Sequence, residues 1–136
     1  MTERSKTLAL MALKERARVA QTLGALREVL VQKADAARVA ERLVAVLSEK
    51  RVSGGAVQSM ATLRAERGMV SQILGEIDRQ RDREAALAQA VAEAQARLAK
   101  EEHRLQLLSD KAGEARRGEA EARQALRDAA MPPRRR

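Results

Sequence analysis

The sequence has no Cys, Phe, Tyr or Trp, and only two prolines and one histidine among its 136 residues. Without cysteine, disulfides, thiolate nucleophiles and Cys-ligated metals are excluded. Without aromatics, the side chains that bury the most area are missing, so any core is built from Leu, Val, Ile, Met and Ala. The prolines are Pro132 and Pro133, so no earlier residue must break a helix for want of an amide hydrogen. Long uncharged runs are also lacking, since none approaches the roughly 18 residues of a membrane-spanning helix. The apolar stretch from Leu8 to Leu13 is shorter than the core of a signal peptide and runs into Lys14, Glu15, Arg16 and Arg18. A cytoplasmic chain is expected, touching a membrane at most peripherally.

What the chain does contain is alanine, leucine and charge. Hydrophobic residues make up 45% and charged residues 34%, the balance of a coiled coil or long helix. Much of the hydrophobic share is alanine, which favours helix but buries little area. Regular apolar spacing argues against disorder.

One interruption is visible. Two adjacent glycines, Gly54 and Gly55, follow the basic pair Lys50-Arg51, which suits a helix end with glycine just past it. The sequence predicts helix one over about residues 5–51, a turn over 52–55, and helix two over about 56–131, with Ser53 or Gly55 as its cap. Residues 132–136 read as a basic disordered tail. In helix one, Val19, Leu23, Leu26 and Leu30 alternate steps of four and three, and Leu43 and Leu47 resume the stripe beyond Ala36, Ala37 and Ala40. In helix two, steps of seven from Leu63 land on Val70, Ile77, Glu84, Val91, Leu98, Leu105, Ala112, Glu119 and Leu126. Companion positions include Ile73, Leu87, Ala94, Leu108, Ala115, Ala122 and Ala129, an a/d pattern sustained over roughly nine heptads.

The expected fold is therefore all-α: an antiparallel two-helix coiled-coil hairpin, a rod whose helices span roughly 70 Å and 110 Å. Closing it at Gly54-Gly55 predicts Leu30 beside Ile77, Leu47 beside Met60 and the N-terminus beside Arg104, with about 25 residues of helix two overhanging. Net charge is +4 for residues 1–27, zero for 28–110 and +4 for 111–136, so the whole excess is expected at the open end. A basic end carrying Lys111, Arg116, Arg117, Arg123, Arg127, Arg134, Arg135 and Arg136 suits an anionic partner.

Catalytic chemistry is not expected. His103 stands beside Glu101 and Glu102 with neither HExxH nor Glu-x-x-His spacing, so it reads as a surface residue rather than a metal ligand. No nucleophile and base can be assembled, and no cofactor or small-molecule substrate is expected. Gly24, Gly68, Gly75, Gly113 and Gly118 are scattered singly, form no phosphate-cradling loop, and read as points of close helix contact or bending. Nucleic-acid binding is disfavoured, because no aromatics can stack on bases and no dense basic helix feeds the heptads.

The helix lengths, the turn region Ser53-Gly54-Gly55-Ala56, the run from Met69 to Arg81 (MVSQILGEIDRQR) and the run from Glu101 to Leu108 (EEHRLQLL) together resemble the flagellar export protein FliJ and its injectisome relatives of the YscO type. The resemblance implies a non-enzymatic stalk, adaptor and general chaperone-escort component of a flagellar type III export apparatus, cytoplasmic and peripherally associated with the inner face of the cell membrane. Its implied partners are a FliI-like export ATPase ring, a FlhA-like export gate and export chaperones. Gate contact in that family uses an early stripe of helix two, matched here by Met69, Ile73, Glu76 and Gln80. Glu76 and Gln80 depart from the small residue and histidine of the family pattern, and Ile73 equally suits a d position of the seam. The alternatives are a hairpin binding nucleic acid or an anionic surface, and a self-associating scaffold.

Overall fold

The computed structural model describes residues 3–53 and 59–133, with the side chains of 51–53 excepted. It contains two α-helices, α1 (Glu3–Ser53) and α2 (Met60–Ala130), of 51 and 71 residues. They pack as an antiparallel helical hairpin with the second helix the longer, the all-α class that the heptad spacing predicts. Among the described residues no helix is long and apolar enough to cross a membrane.

Both helices are built from Ala, Leu, Glu, Gln, Arg and Lys, which lose little side-chain freedom in a helix. The start of α2 is set by Ser59. Its Oγ accepts a hydrogen bond from the Thr62 backbone N–H at 3.1 Å, and its carbonyl accepts from the Leu63 N–H at 3.0 Å. That is N-capping by serine, which satisfies one otherwise orphaned amide. The cap therefore lies at Ser59 rather than at Ser53, which is the last residue of α1, while Gly54 and Gly55 fall outside the described residues. At the other end, the Met131 N–H donates to the Arg127 carbonyl at 3.1 Å. Pro132 has no amide to continue the ladder and biases Met131 out of helical geometry.

The buried stripe of α2 follows the predicted frame. Positions 70, 73, 77, 80, 84, 87, 91, 94, 98, 101, 105, 108, 112, 115 and 119 are all buried or half-buried. Leu63 and Leu126, at the ends of the same series, are exposed. In α1 the frame differs from the expected one. Burial runs through 5, 8, 12, 15, 19, 22, 26, 29, 33, 36, 40, 43, 47 and 50, in unbroken steps of three and four. Leu23 and Leu30 therefore flank the seam instead of filling it, and Leu30 is 44% exposed. Ser5, Glu15, Thr22, Lys33 and Lys50 hold seam positions, so a search for apolar residues alone selects the wrong neighbours.

The chain divides into two compact units. Unit 1 comprises Met1–Leu23 and Ala96–Arg136; unit 2 comprises Gly24–Gln95. In unit 1, Ser5 Oγ donates to Glu119 Oε2 at 3.2 Å and Thr22 Oγ1 donates to Glu101 Oε2 at 2.6 Å. Ascending positions in α1 thus meet descending ones in α2. In unit 2, the Lys50 ammonium lies 3.4 Å from Met69 Sδ. These pairs set the helices about two heptads away from the expected register, in which Ser5 would lie close to Arg104. The helix ends account for part of the displacement, because α1 continues to Ser53 and α2 begins only at Met60. The unpaired end of α2 is correspondingly shorter, and residues 120–133 are exposed throughout.

Packing is thin. The most deeply buried apolar residues are the alanines Ala36, Ala40 and Ala112, joined by Leu26, Leu47 and Val91. Each of the three larger side chains contributes about 1.5–3 kcal/mol by burial, and each alanine far less. The glycines do not serve close packing. A Cβ placed on Gly24, Gly68, Gly75, Gly113 or Gly118 would meet nothing within 4 Å, against the expectation of close contact at these points.

Candidate interaction surfaces

Unit 1 holds 16 of the chain's Lys and Arg against 9 Asp and Glu, a net charge of +7, whereas unit 2 holds 11 against 10, a net +1. Lys111, Arg116, Arg117, Arg123 and Arg127 project from α2 and are exposed. Arg127 lies in its last turn, where the helix dipole favours a cation. Arg134, Arg135 and Arg136 lie outside the described residues. The exposed tract 120–130 bears Leu126 at 71% exposure, with Ala122 and Ala129 on the companion series.

The seam of unit 1 is unusually polar. Besides the two hydroxyl–carboxylate pairs it encloses Glu15, whose side chain is only 4% exposed. Arg18 Nη1 approaches Glu15 Oε2 at 3.4 Å, and Arg104 Nη1 stands 3.6 Å from Oε1, which accepts no hydrogen bond. These are long contacts for a charge-assisted bond. A carboxylate held this way contributes to register more than to stability, because its desolvation is incompletely offset.

In unit 2 the predicted gate-facing residues fall on two adjoining rows of α2. Ile73 and Gln80 are half-buried seam residues, while Met69 and Glu76 border the seam, Met69 being exposed. Met69, Ile73 and Glu76 line one shallow groove together with Leu43 of α1 and Gln72 and Arg79 of α2. Gln80 is not part of its lining, but it is tied to it: Gln80 Nε2 donates to Glu76 Oε1 at 3.0 Å, and Arg79 Nε donates to Glu76 Oε2 at 2.9 Å. The Gln80 amide, followed by Arg79, holds the Glu76 carboxyl below its ordinary value of 4.5, so the groove presents a firmly ionised carboxylate beside an apolar floor.

Among the described residues no three His, Asp or Glu side chains converge as a metal site would require, and His103 is exposed on α2. The residues that the heptad pattern did not point to are Ser5, Glu15 and Thr22. Counting sevens from Ser5 would have found them, since that series and its companion from Leu8 contain every buried position of α1. Compared with known proteins, the chain matches no family model, no curated protein and no solved structure.

Proposed function

We propose that the protein is a non-enzymatic stalk and adaptor of a flagellar type III export apparatus. In this reading it works in the cytoplasm, at the inner face of the cell membrane, by engaging an export ATPase ring and an export gate and by escorting export chaperones. The observation that carries the reading is the charge asymmetry of a helical hairpin: unit 1 bears +7 and an exposed helical end, unit 2 nearly none. Long-range attraction between a basic helical end and a carboxylate-lined opening would centre the helices and leave few fixed contacts to resist rotation. The groove of Leu43, Met69, Ile73 and Glu76 supports the second part, a separate apolar contact for the gate. Glu76, paired with Arg79, would give that contact a polar edge.

Two measurements test this. Full-length tagged protein should retain an export ATPase or a gate subunit from native cytoplasm. Reversing the charges of Lys111, Arg116, Arg117 and Arg134 to Arg136 together should weaken the ATPase interaction, and undiminished stimulation of ATP hydrolysis by that variant would refute the stalk role. The +7 of unit 1 also favours a second reading, binding to nucleic acid or another anionic surface. Duplex DNA bound with a steep fall in affinity as salt rises would support it.

A further inference from the structure

In unit 1, next to the polar layers, lies a groove whose apolar lining none of the roles above requires. We infer that it receives an acidic amphipathic helix from a partner protein, which packs as a third helix against the hairpin.

The floor of the groove is made by Ala12 of α1 and Ala112 of α2, buried seam residues at 7% and 2% exposure. Two methyl groups fill little of the space between the helices, so the surface is concave there. One wall is Leu10 and Leu13, exposed by 66% and 60% although both are large and apolar. With Ala17 and Ala20 they form an uncharged stripe along α1, at helical steps of three and four, all of it exposed. A two-stranded coiled coil needs only a narrow a/d seam, while a wider apolar face is the pattern of a helix with more than one neighbour. The groove is flanked by Arg16 on α1 and Arg116 on α2, both exposed, and neither forms an ion pair among the described residues.

These features select the occupant by chemistry. Its apolar face must match a leucine wall over an alanine floor, and its flanks must carry carboxylates to meet the two guanidiniums. A second copy presenting the same surface would bring one +7 unit against another, which is unfavourable. A lipid surface is flat and would meet the stripe while leaving the floor between the helices unfilled. A helix lying in the groove covers the floor and the near side of the wall at Leu13, with Leu10 at its outer rim.

The inference stands apart from the flagellar reading, and its test shares only Arg116 with the charge reversal that tests the stalk, while L10S/L13S touches none of those residues. A display library of three-heptad helices, each with a Leu/Ala face and either Glu or Lys on the flanks, is selected against the full-length protein. Glu-flanked helices should be enriched, and a selected one should bind at least about tenfold more weakly to the L10S/L13S variant. The R16E/R116E variant should lose these helices and bind their Lys-flanked counterparts, a reversal that loss of folding could not produce. No enrichment, equal enrichment of both flank types, or binding unaffected by L10S/L13S would overturn the inference. So would vesicles of anionic phospholipid that bind the protein in a Leu10- and Leu13-dependent way while no helix is selected. Undiminished ATPase stimulation by the charge-reversed variant, with helix binding by the parent protein intact, would count against the stalk proposal alone.

Discussion

Residues 24–95 and the two segments that make up unit 1 share one helical scaffold but divide its properties. Unit 2 is nearly neutral, and its fully buried seam residues, Leu26, Ala36, Ala40, Leu47 and Val91, are all apolar, with Lys33, Lys50, Gln80 and Glu84 only half-buried among them. Unit 1 is strongly basic, and its seam is interrupted by Ser5, Glu15, Thr22, Glu101 and Glu119. Apolar burial is non-directional and tolerates sliding by whole heptads, whereas hydroxyl–carboxylate pairs exist in one register only. Unit 2 therefore supplies adhesion, and unit 1 supplies register along with the charge that a partner would read.

The sharpest way to break this contrast is to remove adhesion from unit 2. Leu47→Ala should cost about 2–5 kcal/mol in urea unfolding, because a buried leucine is lost from a seam with few others. Leu126→Ala, on the exposed end of α2, should stay within about 0.5 kcal/mol of the parent. Equal effects would show that the exposed end is packed after all.

The polar layers come next. Thr22→Val removes the donor to Glu101 and leaves a partly buried carboxylate short of a partner, at about 1.5–3 kcal/mol. Combining it with Glu101→Leu should recover most of that loss, and a double-mutant cycle that shows no coupling would contradict the pairing. Glu15→Leu should act in the opposite direction and raise stability by about 1–3 kcal/mol, since a buried carboxylate with long ion-pair contacts gives way to an apolar seam residue. Interhelix distances between spin labels should at the same time broaden in unit 1, as one register constraint is lost.

Smaller effects test the helices themselves. Gly68→Ala in unit 2 and Gly113→Ala in unit 1 should each stabilise by about 0.5–1 kcal/mol, because open space surrounds both positions and glycine is costly inside a helix. The smallest effect concerns Glu76. Its pKa is lowered in the folded state, so the stabilisation it provides is present above its ordinary value of 4.5 and fades as pH falls through the lowered value. Gln80→Leu should move the Glu76 carboxyl titration, followed by NMR, back up toward 4.5. An unmoved titration would remove Gln80 as its cause.

Much of this architecture is legible in the spacing of its residues. The a/d frame of α2 stands out because Val70, Ile77, Val91, Leu98 and Leu105 recur every seven residues and outvote Glu84 and Glu119. The frame of α1 does not, because polar residues occupy five of its seam positions while Leu23 and Leu30 supply a competing apolar row beside them. The exposed basic residues of α2 are recognisable from charge alone. The groove over Ala12 and Ala112 is not, since it depends on which alanine of one helix faces which alanine of the other.

Composition and periodicity by themselves determined that this protein is helical, that it has two helices, and which face of the second one is buried. Those properties are local, fixed by side chains within a few turns of each other. Register was decided only by the tertiary structure: displacing one helix by whole heptads returns the same faces to each other, so the pattern of apolar residues is blind to it. The pairing of Ser5 with Glu119 and of Thr22 with Glu101 breaks that degeneracy, and with it decides which groups share a surface.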